Sequence, residues 1–519
     1  KMLNAINNSP VKKVMKGTSE SMKGSGPGQL DLMLSIPLKD TEAIRYTGSY
    51  FFNESSMENQ DLDLPLLSDI KGKLIFDNNG VSLNNGTAIL SDQPLSLAVK
   101  NKDKATVMDF NGTFDSKFIA SSFGNEWSNN IKGQTEWQGR LTLSDKESDL
   151  ILSSNLIGLS INSMHDLNKE KDESIPFQLK KRTSTSSIDY IDITYGKIIT
   201  ARFIRENDNK IKRGFIGINT IPSMPDNGII INASLDSLDT ESIKFLFDHH
   251  SLDGNTNKNI QQKPAFEKVI LNVDELMIKG NKLTKASINY SPTIDGSNIR
   301  IDSREVSGDI SWFLSEKLYK LNFTKMHLMR EEKESKNKET VTEENIKNEA
   351  DSGHDSNTEL SKIDMKVDSF KINENEYGKV MLSAREDLEG FVFDSLSIIN
   401  DAYTLKGNGY WKSDMFPEKT SMSFEWDIKN VGNTLNNLGY PNLIEDGNAS
   451  VIGLITWDDD PASFSAEDFY GNFTINTKKG TIKKIEPGVA GRLVGLISLQ
   501  NLPRRLTLDF SDLFQEGLP

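Results

Sequence analysis

The sequence predicts a mostly β protein: an elongated, curled antiparallel β-sheet groove built of repeating units, with a few short helices. Three observations carry that expectation. Short runs alternate strictly between apolar and polar residues, as in Met422, Phe424, Trp426 and Ile428 against Ser423, Glu425 and Asp427. Such period-two runs give a strand one apolar face and one wet face. Turn pairs separate the runs, at Asn79-Gly80, Asn85-Gly86, Asp295-Gly296 and Asp446-Gly447, and they supply the positive φ of tight hairpins. Finally, four of the 6 tryptophans stand in one five-residue phrase: Gly133 to Trp137, Gly308 to Trp312, Gly407 to Trp411 and Gly453 to Trp457. In a strand, positions four apart share a face, so each phrase sets a gap beside a large ring. A rare residue recurring in one frame marks a repeated β unit.

Taken in order, residues 1–268 read as an N-terminal β-groove segment. It opens with a short helix from Met2 to Lys16, interrupted at Pro10, and contains an Asn-, Lys- and Gln-rich surface loop at 251–263. Residues 269–330 and 362–433 are two related β repeat units. One runs from Val273 through Asp295-Gly296 to Trp312, the other from Val367 through Glu389-Gly390 to Trp411. Between them, residues 331–361 carry many charges and almost nothing apolar, the composition of a disordered acidic insertion. Residues 434–519 form a C-terminal segment. A short helix from Val431 to Leu438 precedes Gly439-Tyr-Pro441, and a second helix is expected from Gly488 to Gln500. In that second helix Val489, Leu493, Leu496 and Ile497 recur at helical spacing, as in a helix buried on the sheet or lying on a membrane surface.

Composition narrows the function classes. The chain has 519 residues, a net charge of -15 and no cysteine. The charge argues against a nucleic-acid partner, and the missing thiols exclude disulfides, thiolate zinc sites and a cysteine nucleophile. No run reaches the about 18 apolar residues of a membrane span, and no signal peptide follows Lys1. A chain that begins at Lys1 and stops at Gly517-Leu-Pro519 reads as a fragment whose membrane anchors lie outside it.

Catalytic constellations are poor. His165, His249, His250, His327 and His354 form no metal-ligand spacing, and adjacent histidines on a strand face opposite ways. Asp458-Asp459-Asp460 lacks the spacing of a calcium loop and reads as a charged turn after a strand. No nucleophile elbow and no phosphate-cradling glycine loop is found. The expectation is a protein that is not an enzyme and uses no cofactor and no metal.

The C-terminal stretch carries a resemblance. Leu438-Gly-Tyr-Pro441, Gly453 to Trp457, Pro461 to Phe464, Glu486 to Arg492, Leu499 to Leu506 and Asp509 to Phe514 resemble the AsmA-like C-terminal region of YhdP-type proteins. Weaker likeness covers 27–115 and the two stretches at 269–312 and 363–411. Such proteins stand with AsmA and TamB among the large envelope proteins of Gram-negative bacteria. The resemblance implies an inner-membrane anchor, a periplasmic β groove, and phospholipids carried between inner and outer membrane in support of the outer-membrane barrier. The chain departs from the pattern in lacking an N-terminal membrane helix, in ending before the family's final β segment, and in its acidic insertion.

The residues support a groove on their own terms. One-sided strands need a cover, either a second sheet or acyl chains. The candidate lipid-lining residues are Trp137, Trp312, Trp411, Met422, Phe424, Trp426, Ile428, Trp457, Phe473, Ile475, Leu506, Leu508 and Phe510. Ordinary sheet packing is their alternative role, and periodicity does not separate the two. The expected partners are phospholipids, both membranes and other envelope proteins. Two other classes stay open: a TamB-like factor assisting outer-membrane protein assembly, and a β-rich structural or adhesin module.

Overall fold

The computed structural model describes residues 22–35, 45–59, 64–102, 105–118, 130–144, 147–162, 167–184, 188–206, 210–239, 266–278, 281–329, 361–413, 417–437, 444–461, 469–479 and 481–482. Among them are 29 strands and the 7-residue helix Val431–Asn437. The expected helices at Met2 to Lys16 and Gly488 to Gln500, the loop at 251–263 and nearly all of the acidic insertion lie outside the described residues. The chain divides into two compact units, Lys1–Val273 and Asp274–Pro519.

The first unit holds β1 (Met22–Ser25), β2 (Gly28–Ser35), β3 (Arg45–Asn59), β4 (Leu64–Asp77), β5 (Gly80–Leu90), β6 (Gln93–Lys102), β7 (Ala105–Asp115), β8 (Ile131–Leu143), β9 (Glu147–Ser154), β10 (Leu159–Ile161), β11 (Phe177–Ser184), β12 (Asp189–Tyr195), β13 (Ile199–Arg205), β14 (Ile211–Ile218) and β15 (Gly228–Asp239). From β2 to β9 each strand pairs antiparallel with the next. Strand β11 then pairs with β9, while β10 folds back onto β8. The antiparallel order continues to β14 and breaks there, because β14 and β15 are parallel.

Strand β16 (Phe266–Ile278) crosses the division. The second unit continues with β17 (Asn281–Thr293), β18 (Gly296–Asp302), β19 (Val306–Phe313), β20 (Leu318–Leu328), β21 (Lys362–Ile372), β22 (Asn375–Asp387), β23 (Gly390–Ile399), β24 (Tyr403–Lys412) and β25 (Lys419–Ile428). Helix α1 (Val431–Asn437) follows, then β26 (Ile444–Glu445), β27 (Asn448–Asp458), β28 (Phe469–Lys478) and β29 (Thr481–Ile482). All neighbouring pairs from β17 to β28 are antiparallel except β20 with β21, which run parallel. Strands β26 and β29 pair with each other.

Hairpin after hairpin is thus the rule, with two parallel joints that the sequence pattern does not announce. A parallel neighbour obliges the chain to travel back to its starting end. That gives the charged connection between β20 and β21 a topological reason. Two expected hairpin turns are also corrected. Asn85-Gly86 lies inside β5, where Asn85 takes a φ of 54° and the register against β6 shifts between Leu83 and Gly86. It is a bulge, which bends one strand instead of reversing it. Asp446-Gly447 carries the chain from the small β26–β29 pair into β27, and its carbonyls accept the amides of Gly432 and Val431 at the start of α1. The turns at Gly80 and Gly296 stand as expected, with φ of 144° and 135°.

The two related stretches meet their structural counterparts with the same local device. Gly296 and Gly390 open β18 and β23 at φ of 135° and 142°. A Cβ at either would collide with a carbonyl oxygen, that of Trp312 or of Trp411, so both positions require glycine. In each case the residue two beyond that tryptophan returns a hydrogen bond to the turn, Leu314 N to Asp295 O at 2.9 Å and Ser413 N to Glu389 O at 3.0 Å.

A single-layer sheet hides side chains only by curling over them. Leu83 is 2% exposed within a cluster drawn from β3 to β8, and Val367 is fully buried. Curling crowds the inner face, and glycine relieves the crowding. Gly48 stands opposite Phe76, Gly139 opposite Phe110, Gly214 opposite Phe203, Gly308 opposite Phe323, Gly407 opposite Phe424 and Gly453 opposite Phe473. At Gly48, Gly139, Gly214 and Gly308 ring atoms lie against the backbone the glycine leaves bare, as in aromatic rescue of sheet glycines. Three of the four Gly/Trp phrases therefore pair their glycine with a phenylalanine on the next strand. A Cβ on Gly308 would lie 2.4 Å from the Asn322 carbonyl oxygen, 2.5 Å from Phe323 Cδ1 and 2.6 Å from Phe323 Cα. Gly308→Val should destabilise the unit by ~1–3 kcal/mol through overpacking. In a double-mutant cycle with Phe323→Ala, followed by urea unfolding and tryptophan fluorescence, the two losses should fall short of additive. Strict additivity would place the clash on the backbone of β20 and refute a role for the ring.

The outer face is stitched by opposite charges in direct register. Arg140 faces Asp109, Arg182 faces Asp149 and Arg202 faces Asp192, at 2.6, 2.9 and 2.5 Å. Arg140 and then Lys100 hold the Asp109 carboxyl below its ordinary value of 3.8. Its stabilisation is complete above that value and is lost as pH falls through the lower folded one. Because Arg140 and Lys100 are largely exposed, the contribution is at most ~1 kcal/mol. Asp109→Asn should lower the urea midpoint slightly at neutral pH and flatten its decline below pH 3.8.

Candidate functional site: an apolar trough

Register turns the alternation of single strands into continuous rows. In the second unit one row runs Tyr290, Ile299, Ile310, Leu321, Met365, Leu382, Leu396, Gly407, Phe424, Gly453 and Phe473, each the direct partner of the next. With strands ~4.8 Å apart, ten steps follow the sheet for about 48 Å. Every member is apolar or glycine, and every one is half-buried, neither hidden nor fully exposed.

A parallel row two residues along each strand runs Ile288, Ile301, Gly308, Phe323, Val367, Val380, Ile398, Leu405, Trp426, Val451 and Ile475. It is the deeper one: Phe323, Val367, Val380 and Val451 are buried. On the other flank Trp312, Tyr319, Ile363, Ala384, Phe393, Gly409, Met422 and Ile455 form a more open row. One residue off the central row the chemistry inverts. Asn289, Arg300, Asp309, Asn322 and Lys366 pair in succession, and Lys406 faces Glu425 further along. One face is therefore an apolar trough, and the other is mostly polar, with Met381 and Ile452 exposed among its charges.

The first unit builds its own trough. Leu83, Val99, Met108, Leu141 and Leu150 are successive partners, and Leu97, Phe110, Gly139, Leu152, Leu179, Ile193, Ala201, Ile216 and Ile231 run alongside.

The residues singled out from sequence fall on these faces as follows. Trp137 is half-buried, opposite Gly112. Trp312 stacks on Tyr319 with centroids 4.1 Å apart. Trp411 stacks on Phe391 at 5.6 Å and donates its Nε1–H to Glu418 Oε2 at 2.8 Å. Met422, Phe424 and Trp426 are half-buried and Ile428 is buried, whereas Ser423, Glu425 and Asp427 are exposed. Trp457 is 3% exposed and closes its strand end by donating to the Asp460 carbonyl at 3.0 Å. Phe473 and Ile475 lie on the same face, with Ile475 the more open. Leu506, Leu508 and Phe510, and the helix residues Val489, Leu493, Leu496 and Ile497, lie outside the described residues.

Asp458-Asp459-Asp460 is a structural turn. The Asp459 carbonyl accepts the Thr420 hydroxyl at 2.9 Å, and its amide donates to the Glu418 carbonyl at 2.7 Å. Among the described residues no group of three metal-ligating side chains converges. At one end of the trough Val431 of α1 packs on a cluster containing Tyr403, Ile428 and Val451. Burial there pushes the Tyr403 phenol up to about 12, the response of a hydroxyl in low-polarity surroundings.

Sequence reasoning missed most of the central row. Alternation marks Ile299 and Ile310 as inward, but only register shows that Leu321 of β20 continues into Met365 of β21 across the parallel joint.

A curled, single-layer, mostly antiparallel sheet whose inner face is an apolar trough defines a β-groove protein. The chain matches the YhdP protein family over residues 1–519 and belongs to that family, an AsmA-like envelope family. No curated protein and no solved structure matches it.

Placing a charge in the trough should cost apolar-ligand binding selectively. Leu321→Asp or Met365→Asp should lower the fluorescence of bound N-phenylnaphthylamine several-fold, while Ser397→Asp on the opposite face should leave it unchanged. Equal losses from both faces would count against the trough as the dye site.

Proposed function

We propose that the chain carries phospholipids between the inner and outer membranes by sheltering their acyl chains in the trough. The observation that carries this reading is the central row: eleven consecutive strand partners, all apolar or glycine and all half-buried. A closed sandwich would bury such a row, whereas here it stays half-buried along its whole length. The energetic reason is simple. A lipid leaving a bilayer exposes its chains at ~0.8 kcal/mol per CH₂. Two long chains make a barrier above ~20 kcal/mol, and a continuous apolar surface removes most of it without a reaction.

In this reading the protein is not an enzyme and needs no cofactor. It works in the periplasm, attached to the inner membrane, and supports the outer-membrane barrier. Family membership supports the envelope setting.

Photo-crosslinking in cells tests it. Probes at Phe424 and Trp426 should yield phospholipid adducts, and probes at Ser423 and Glu425 should not. Adducts only to the protein's own opposite strands would overturn lipid carriage by this segment.

A further inference from the structure

One rim of the first unit's trough carries a flap. Strand β7 ends at Asp115, opposite Gln134, so residues 131–133 of β8 run on past the sheet. Strand β10 pairs with that overhang, Leu159 with Gly133 and Ile161 with Ile131. A third arm lies against β10: Ile161 and Lys169 exchange both backbone hydrogen bonds at 2.9 Å, and Gly158 N donates to the Lys171 carbonyl at 2.7 Å. At the base of the flap Gly133 and Gly158 stand side by side at φ of 97° and 95°. A Cβ on either would strike the backbone of the other arm, so only glycine fits. Gly133 belongs to the one Gly/Trp phrase whose glycine faces no phenylalanine, and the hinge position accounts for that.

The flap bends back over the inner face. Phe177, Tyr195 and Ile199 are successive partners, two residues along from Leu179, Ile193 and Ala201 of the trough. Leu156, Leu159 and Ile175 of the flap, 6%, 1% and 6% exposed, cluster with these three. The neighbouring trough residues Leu152, Leu179 and Ile193 stay half-buried. At this rim the flap supplies the apolar cover that those neighbours lack.

Its closed form carries three costs. Leu156 holds a φ of 56°, in the left-handed region that a bulky residue rarely enters. The Tyr195 hydroxyl is buried with no hydrogen-bond partner among the described residues. Burial, and then the charge of Glu173, pushes that phenol up to about 12. Lys169 is 2% exposed, and its Nζ donates to the carbonyls of Leu159 and Glu170 at 2.9 and 2.8 Å. Among the described residues no carboxylate forms an ion pair with it, and burial lowers its pKa against the pull of Glu173, Asp172 and Glu170. A buried ammonium and an orphaned hydroxyl both oppose closure. Strain of this kind collects at clamps and switch regions. Opening the flap hydrates Tyr195 and Lys169 and frees Leu156, while the apolar contacts hold it shut.

We propose that residues 155–161 and 169–175, with the start of β8, form a gate. It covers the rim of the empty trough and swings out on Gly133 and Gly158 when an acyl chain replaces Leu156, Leu159 and Ile175 on Phe177, Tyr195 and Ile199. The proposal rests on the lipid-carrying reading above and adds the place where a chain enters.

The test uses the whole chain. Tyr195→Phe and Lys169→Met each remove one polar cost and keep the shape, so either should hold the flap shut more firmly. Hydrogen exchange at the amides of Leu159, Ile161 and Lys169, read by mass spectrometry, should slow about fivefold, the effect of one unsatisfied group. Uptake of pyrene-labelled phosphatidylglycerol from phosphatidylglycerol vesicles, followed by loss of excimer fluorescence, should slow by the same factor. Leu159→Ala trims the most buried side chain of the flap and should speed both. In the wild type the vesicles should speed exchange at the same amides. Thermal melts by circular dichroism check folding, and any one folded variant carries the test. Altered exchange with unchanged uptake would make the flap a fixed wall and overturn the gate while leaving the trough reading intact. Exchange that Tyr195→Phe and Lys169→Met leave unchanged or quicken would show that these groups do not oppose closure, and would overturn it too. Wild-type exchange indifferent to vesicles, despite lipid uptake, would do the same. No uptake by the wild type would remove the lipid-carrying reading itself.

Discussion

Everything in this architecture depends on curling one layer of sheet around its own apolar face. Most β proteins hide such a face under a second sheet or a helix layer. Here the cover comes from curvature, and curvature crowds the inner side chains. The recurrent answer is a glycine directly opposite an aromatic ring, at Gly48 and Phe76, Gly214 and Phe203, Gly308 and Phe323, and Gly453 and Phe473. The glycine leaves room on the crowded inner face, and at Gly48, Gly214 and Gly308 ring atoms lie against the backbone it leaves bare. The bulge at Asn85-Gly86 serves the same end by bending β5 within its length.

The same constraint sets the polarity of the two faces. An inner face with little room favours aliphatic, aromatic and glycine residues in unbroken rows. The outer face diverges as the sheet curls, so long charged side chains have space there. Their pairing in direct register, as in Arg140 with Asp109 and Arg182 with Asp149, opposes a one-residue slip that would turn each strand inside out. Individually these exposed pairs contribute little stability. Their value lies in penalising the wrong register along strands that otherwise repeat a simple pattern.

An apolar face that stays half-buried from Tyr290 to Phe473 is the feature on which the proposed carriage of acyl chains rests. The cluster of Lys181, Asp189 and Arg205 is a buried set of ion pairs near the strand ends of the first unit, beside its apolar rows.

The sequence by itself determined the strands, their two-faced character and the recurring Gly/Trp frame, because side-chain alternation is a local property of extended backbone. Met422, Phe424, Trp426 and Ile428 declare a shared face without any knowledge of their neighbours. The family resemblance was likewise legible from the C-terminal motifs. Only the tertiary structure decided which residues meet across strands. The parallel joints at β14–β15 and β20–β21, the bulge at Asn85-Gly86, the step from Leu321 to Met365 and the meeting of Lys181 with Asp189 and Arg205 all follow from register. Register is a relation between strands, and even where the partners lie near in sequence, as Lys181 and Asp189 do, the alternation of one strand does not say which residue of the next it meets.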